Sequence, residues 1–491
     1  MRKPRRTVDW KEYELVKKYS DSEEKLKSFS KEGHLKVALI YPNSYRILSG
    51  NLGFQRVFEI ANSVSGISCE RFFYDEKFNR FYSLDSLRPL DEFKIWMFSI
   101  SYELDFFNLV DILKKLKVPV LADERKEIHP FVLIGGPLVT INPELFYHIA
   151  DLIYHGEAEV ELKNVLNEIS KHLTDGKKVV FEVLRDISTV TVPSLNKKAV
   201  GEAIYREVIN DPAGSIFLTK YGEFKDSFLI EIGRGCFRKC KFCTIGNLYG
   251  YFRPVKVSAV KEKLERALAL LKDTRDFKVG LIAPAVNDHP KFEEILDYLE
   301  YRNIRFSVSS LRADTINEKL LRGLLRSGQN MLTIAPETGS EKLRTFLNKK
   351  ISNELIYDKI SLAKNLGFKK IKLYMMFGLP DETEEDLIES AKMIEKVSNM
   401  GFNEVVVSVS PFVPKPRTSF ENLSFQNIKI LNEKQKVLKV RLKNVKVNIG
   451  SFRESFIQYK LDHLDSQNIL LLLKVLEERG KSEALNFIKN L

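Results

Sequence analysis

Four cysteines in 491 residues are too few for a disulfide framework, and the N-terminal run Met1-Arg2-Lys3-Pro4-Arg5-Arg6 lacks the apolar stretch of a secretory signal. The cross-linked secreted classes are thereby excluded, and the cytoplasm is the expected compartment. No run of residues approaches the apolar length of a membrane span, so no membrane partner is expected. The G-x-G-x-x-G fingerprint of dinucleotide-binding sheets is also missing. Acidic residues are outnumbered, 66 against 78 Lys and Arg, for a net charge of +12. A basic surface can meet RNA or an acidic substrate, but these lysines are spread along the chain, and lysine-rich helical faces are ordinarily just solvated. A hydrophobic fraction of 44% over this length is enough for two to four domains with real cores.

What the chain does have is concentration. Three of its four cysteines fall within eight residues, Cys236-Phe237-Arg238-Lys239-Cys240-Lys241-Phe242-Cys243. The CxxxCxxC spacing suits a loop wrapped round one face of an iron–sulfur cubane, each thiolate on a different iron, with the fourth iron left open. Positions 236, 240 and 243 also fit one face of a helix. Gly233 and Gly235 upstream argue for a loop, however, and Arg238, Lys239 and Lys241 argue against a core face. Zinc is the other metal reading, but it needs a fourth ligand and no histidine lies nearby to complete a local knuckle. Three clustered cysteines cannot pair off as disulfides. The fourth, in Ile67-Ser68-Cys69, reads as a buried small hydrophobe.

Strand-like runs at Leu35–Tyr41, Ile67–Tyr74, Phe93–Ser101, Phe131–Gly135 and Leu152–His155 alternate with amphipathic stretches such as Leu52–Val64 and Leu104–Leu116. This alternation predicts right-handed βαβ units and a parallel sheet over residues 35–170, after a charged helical lead at 1–34. Pro42-Asn43-Ser44-Tyr45, Gly135-Gly136-Pro137 and Gly156-Glu157-Ala158-Glu159 end its strands, where ligands of such sheets bind. Residues 171–225 read as a connector with short β-like pieces such as Val179–Leu184. Over 226–420 a second series begins, with strands at Phe228–Ile232, Lys278–Ala283, Arg305–Ser309, Met331–Ala335, Lys370–Met376 and Glu404–Val409. Helices are expected between them, at Val260–Leu271, Lys291–Tyr301, Asn317–Ser327, Asn353–Leu366 and Glu384–Met400. Six strand–helix repeats suggest an incomplete TIM-like barrel, whose reactive loops gather at the C-terminal rim; the cysteine loop follows its first strand. Residues 421–491 are lysine-rich (Lys429, Lys434, Lys436, Lys439, Lys443 and Lys446 among them) and close with helices over roughly Ile469–Lys489. The fold class is therefore α/β: a Rossmann-like parallel sheet domain, a partial (β/α)6 TIM-like barrel and a small helical C-terminal region.

With the aromatic Phe242 beside Cys243, the cysteine motif resembles that of the radical S-adenosylmethionine (SAM) superfamily. The resemblance implies that Cys236, Cys240 and Cys243 hold a [4Fe–4S] cluster whose open iron chelates SAM. An external electron donor of the ferredoxin or flavodoxin type would reduce the cluster, and one electron would break the S–C5′ bond to give a 5′-deoxyadenosyl radical. In Thr333-Ile334-Ala335-Pro336-Glu337-Thr338-Gly339-Ser340, Glu337 stands where a carboxylate contacts the SAM ribose; the competing role is a helix N-cap, which Thr338 or Ser340 fills better. Lys372-Leu373-Tyr374-Met375-Met376-Phe377-Gly378-Leu379-Pro380 resembles the segment that presents backbone to adenine. Gly378 would allow close approach, and Lys372 would reach the SAM carboxylate or a substrate anion. The Gly-Gly-Glu type segment that holds the SAM amino group is replaced by Ile282-Ala283-Pro284-Ala285-Val286-Asn287-Asp288, where no side chain is assigned. Ser410-Pro411-Phe412-Val413-Pro414-Lys415-Pro416 resembles a substrate-side loop.

The front sheet, with Pro42-Asn43-Ser44-Tyr45 and Asn51-Leu52-Gly53-Phe54-Gln55, resembles a cobalamin-binding-type domain, so cobalamin is a candidate cofactor and methyl transfer a candidate outcome. The Asp-x-His-x-x-Gly sequence of histidine-ligated cobalamin is absent. Methylthiolating relatives carry three further cysteines in the front domain; this chain has only Cys69 there. The expected activity is a radical SAM enzyme acting on an unidentified substrate, RNA among the candidates. The alternative is a non-catalytic iron–sulfur or zinc protein that binds RNA.

Overall fold

The computed structural model describes residues 9–30, 32–271, 273–442 and 445–491; the basic run Met1–Arg6 and Lys443 lie outside them. The chain folds into two compact units. One comprises Met1–Tyr205, Ala213–Ser227 and Leu461–Leu491, the other Arg206–Pro212 and Phe228–Lys460.

The first unit is built on strands β1 (Leu35–Tyr41), β2 (Ile67–Phe73), β3 (Ile95–Ser99), β4 (Phe131–Gly135), β5 (Leu152–Tyr154) and β6 (Val190–Thr191). Their order is β2-β1-β3-β4-β5-β6, all parallel except the β5–β6 pair. β2 and β3 are buried along their whole lengths, the near-continuous burial expected of parallel strands covered on both faces. Helices Leu52–Asn62 and Asp105–Lys115 form crossovers between parallel strands, and Ala158–His172 follows β5. The first is started by Asn51, whose side chain accepts from the Phe54 N–H at 2.9 Å. Strand order reverses between β1 and β3, which opens a crevice beyond their carboxyl ends. The closing helices Ser466–Arg479 and Lys481–Asn490, remote in sequence, belong to this unit; Asn142 Nδ2 donates to the Leu461 carbonyl at 3.1 Å in a buried contact.

One expectation for the connector is corrected. Val179–Leu184 is not β-like but lies within a helix, Lys177–Leu184. Strand alternation would have put Glu182 on the buried face with Val180 and Leu184; a helical turn buries Val180 and Leu184 together and leaves Glu182 exposed.

The second unit contains β7 (Ser227–Glu231), β8 (Lys278–Ile282) and β9 (Arg305–Ser307) in one sheet. β10 (Met331–Glu337), β11 (Lys370–Phe377), β12 (Glu404–Pro411) and β13 (Lys446–Ile449) form another. A parallel bridge, Leu311 to Ile334, links the segment after β9 to β10, and the ladders from β10 to β13 are parallel throughout. Helices Val257–Leu270, Phe292–Tyr301, Glu318–Arg326, Asn353–Leu366 and Glu384–Ser398 alternate with the strands. All six expected strands are present, in a partial TIM-like barrel, and β13 adds a seventh. Strand alternation is clear on β11. Ile371, Leu373, Met375 and Phe377 are buried, while Lys372, Tyr374 and Met376 share the other, partly exposed face.

Candidate cofactor site

β7 ends at Glu231, and Gly233–Arg234 then pairs antiparallel with Arg253–Pro254 at the neck of the cysteine loop. Gly235 turns the chain at φ +80°, where a Cβ would stand 2.3 Å from the Tyr251 carbonyl oxygen, so no other residue fits. Lys239, between the first two cysteines in sequence, adopts φ +48°. The loop is fastened from outside: Lys241 N–H donates to the Leu347 carbonyl at 3.1 Å, and Asn348 Nδ2 to the carbonyls of Lys239 at 2.9 Å and Arg238 at 3.4 Å. Phe242 packs against a buried apolar group of Leu343, Leu347, Leu379, Phe412 and Phe420. These residues follow β10, β11 and β12, so the loop sits at the carboxyl ends of the strands.

The three thiols are free and half-buried. Burial pushes the Cys240 and Cys243 thiols up; at Cys240 the cations of Lys349 and Arg312 oppose that shift. Among the described residues no three His, Cys, Asp or Glu side chains converge on one point.

Glu337 closes β10 after a register break between Ile334 and Glu337, and it holds φ +69°. Its Oε1 accepts from Lys349 Nζ at 2.7 Å, in a pair whose side chains are 12% and 7% exposed. The helix cap is a separate residue: Ser340 precedes the helix Glu341–Phe346 and accepts from the Leu343 N–H. Gly378 turns at φ +75°. A Cβ there would meet Leu431 Cδ2 at 2.7 Å, so the space beside it is filled by the protein itself. The Gly378 N–H donates to Glu382 Oε2 at 2.8 Å. Pro380 lies in the same turn, partly buried. Lys372 stands apart from this group. It lies five residues before the strand end at Phe377, where its Nζ donates to Tyr374 Oη at 3.1 Å and rests 4.6 Å above that ring.

Sequence reasoning missed several neighbours. In the segment after β8, Asn287 Nδ2 donates to the Arg312 carbonyl at 3.0 Å while its buried Oδ1 has no protein partner. Asp288 holds Arg238. Lys349, inside Asn348-Lys349-Lys350, reads in sequence as one more solvated lysine, and only the fold buries it.

In the first unit, the crevice beyond β1 and β3 is polar. Asn43 Nδ2 donates to Asp105 Oδ1 at 2.8 Å, and Asn51 Nδ2 to Tyr41 Oη at 3.2 Å. Asp105 Oδ2 is buried without a partner, and burial pushes this carboxyl up to about 7. Cys69 is buried on β2, its thiol driven well up by burial, in keeping with a packing role.

Two family models match the chain: one described as radical SAM proteins, N-terminal, over residues 53–193, and one described as the radical SAM superfamily, over residues 230–394. An uncharacterized protein of Methanocaldococcus jannaschii is 32% identical over 409 residues, 82% of this chain and 81% of that protein. An uncharacterized methyltransferase of Pyrococcus horikoshii is 25% identical over 286 residues, 54% of this chain and 58% of that protein. Among solved structures, the radical SAM methyltransferase TsrM of Kitasatospora setae, with cobalamin and a [4Fe–4S] cluster bound, has a TM-score of 0.55 at 11% identity and covers 93% of this chain and 99% of its own. The cobalamin-dependent SAM radical enzyme OxsB, with aqua-cobalamin bound, has a TM-score of 0.55 at 12% identity, over 93% of this chain and 75% of its own. At such identities the likeness is one of fold. On the family models and the archaeal relative, the chain belongs to the radical SAM superfamily, as an enzyme whose cofactors are a [4Fe–4S] cluster and SAM.

Proposed function

We propose that Cys236, Cys240 and Cys243 hold the cluster, that SAM lies across the carboxyl ends of β8 to β12, and that the enzyme transfers a methyl group to an unidentified substrate with the help of a corrinoid at the first sheet. The observation that carries this reading is the cysteine loop itself: three free thiols on a backbone fastened to the segments after β10, with cations beside Cys240. When bound, the cluster would supply the electron that splits one SAM into methionine and a 5′-deoxyadenosyl radical; because that methionine keeps its methyl, the methyl given to substrate would come from a second SAM by way of the corrinoid, leaving S-adenosylhomocysteine.

The chain's own groups fit SAM. Lys349 occupies Glu337 Oε1 and leaves Oε2 to accept from ribose hydroxyls. The orphaned Asn287 Oδ1 suits the SAM ammonium, in the segment where the family's amino-group ligands stand. The Gly378 carbonyl, with Pro380 stiffening the turn, suits the adenine edge. Phe242 walls the loop from water on its apolar side. Lys372, on the open face of β11, is better placed for a substrate anion than for the SAM carboxylate.

For the corrinoid, the β2-β1-β3-β4-β5 order, the crevice at its reversal and the unpartnered Asp105 Oδ2 supply a polar site without a histidine. Among the described residues no helix is long and apolar enough to cross a membrane. We place the enzyme in the cytoplasm, served by a ferredoxin- or flavodoxin-type donor; the net charge of +12 keeps RNA among the candidate substrates.

Anaerobic reconstitution tests the reading. Iron should reach about four per chain, and dithionite with SAM should yield 5′-deoxyadenosine. A fully loaded cluster that never gives this product refutes the proposal. Cys240→Ala should lose both cluster and product. Retention of hydroxocobalamin by the full chain through gel filtration tests the corrinoid separately.

A further inference from the structure

Arg238 occupies a non-ligand position inside the cysteine motif, where an arginine would ordinarily point into water. Instead its guanidinium is fully committed. Nε and Nη2 donate to the two oxygens of Asp288 at 2.8 and 2.6 Å, and Nη1 lies 3.1 Å from Asp314 Oδ2. Asp288 is in the segment after β8, with its side chain only 2% exposed; Asp314 is in the segment after β9, where Arg312 also grips it at 3.1 Å. The main chain of Arg238 is engaged as well. Its N–H approaches Cys236 Sγ at 3.5 Å and its carbonyl accepts from Asn348 Nδ2. A fork on one acid and a third contact to another, carried on two different loops, is a directional clamp that a lysine could not reproduce. It holds the stretch between the first two thiols, next to Lys239 in its left-handed conformation.

We infer that Arg238 is a positioning residue, fixing Cys236 and Cys240 against the ends of β8 and β9 through Asp288 and Asp314 and thereby setting where the open iron meets SAM. The inference rests on the proposed cluster site. It also gives Asp288 a task in the very segment that departs from the family's Gly-Gly-Glu pattern.

The test uses the reconstituted full chain with Arg238→Lys and with the paired Arg238→Met/Asp288→Asn, which leaves no uncompensated buried carboxylate. Iron content, SAM binding at equilibrium and the electron paramagnetic resonance spectrum of the reduced cluster with and without SAM are measured. SAM affinity should fall about 10- to 100-fold, as when an outer partner of a metal ligand is removed, with a diminished SAM-induced change in the spectrum. Loss of iron at an unchanged melting temperature supports the inference equally, because the thiols then no longer meet the cubane. A paired variant with wild-type iron, SAM affinity and spectral response overturns it. Failure of the unaltered chain to load iron would instead defeat the cluster assignment.

Discussion

Lys349→Met removes the cation from Glu337 and asks how much of the site depends on one ion pair. The two groups meet at 2.7 Å, with only 7% and 12% of their side chains exposed, so solvent screens them little. Removing one partner of a buried pair costs about 3–5 kcal/mol, mostly because the other charge stays buried and uncompensated. The residual exposure of Glu337 puts the expectation near the lower end, about 3 kcal/mol. Glu337→Gln in the same chain removes the stranded charge, and the double variant should lie within about 1–2 kcal/mol of the parent. Glu337→Gln alone strands the buried Lys349 at a similar cost of about 3 kcal/mol, so the coupling energy from the cycle is then about 4–5 kcal/mol. Guanidinium unfolding of the apo chain, followed on the transition that Lys349→Met shifts, reads it directly. If the two single losses simply add, the carboxylate is not held by Lys349, and Lys349 does not orient Glu337 toward ribose. SAM binding gives the second readout: Glu337→Gln should weaken it even where stability is restored.

Two further outcomes are expected. Gly378→Ala should be destabilised by about 1–3 kcal/mol more than Gly401→Ala, because both glycines have φ near +80° but only the Gly378 Cβ meets packed side chain, Leu431 at 2.7 Å, whereas at Gly401 the nearest atom is the mobile Lys364 side chain at 3.8 Å; equal losses would show that Leu431 yields freely. Asp105, buried and raised to about 7 from an ordinary 3.8, holds its proton more tightly folded than unfolded, so it lowers stability progressively as pH rises from about 4 to 7, by roughly 4 kcal/mol in full. Asp105→Asn keeps an acceptor for Asn43 and should lack that slope, gaining on the parent between pH 4.5 and pH 8 in guanidinium midpoints; parallel pH profiles would contradict the assignment.

The sequence was most legible where period and punctuation agreed. Leu35–Tyr41 and Phe131–Gly135 have the bounds expected of them, as does the helix Asn353–Leu366, which Ser352 starts and Gly367 stops at φ +115°. The cysteine loop was legible because its chemistry is local: ligand spacing is written within eight residues. The partners of that loop were not. Asp288, Asp314, Asn348 and Lys349 are brought to it by three separate strand–loop connections, and nothing in Asn348-Lys349-Lys350 distinguishes the buried lysine from its neighbour. β13 was missed for a related reason. Lys446–Ile449 is four residues among lysines, and its strand character comes from pairing with β12 rather than from its own pattern. In Lys177–Leu184 a β-rich composition pointed the wrong way, and burial of Val180 with Leu184 decided for helix.

The distribution of backbone strain sharpens the case for the cysteine loop as the working centre. A non-glycine residue at positive φ costs on the order of 1–2 kcal/mol and persists only where its surroundings over-determine it. Three such residues, Lys239, Glu337 and Asn348, meet in one chain of contacts: Asn348 Nδ2 binds the Lys239 carbonyl, and the adjacent Lys349 binds Glu337. Positive φ occurs elsewhere too, at exposed turn residues such as Lys117 and Asn303 and at the buried Phe81. Lys239 lies between Cys236 and Cys240 in the chain, Glu337 closes β10 with its carboxylate on Lys349, and Asn348, next to Lys349, donates to the Lys239 carbonyl. Arg238, gripping Asp288 and Asp314, braces the same loop from its other side. If Cys236, Cys240 and Cys243 hold the cluster as proposed, the geometry around its open iron depends on residues 238, 288, 314, 337, 348 and 349 as well as on the cysteines.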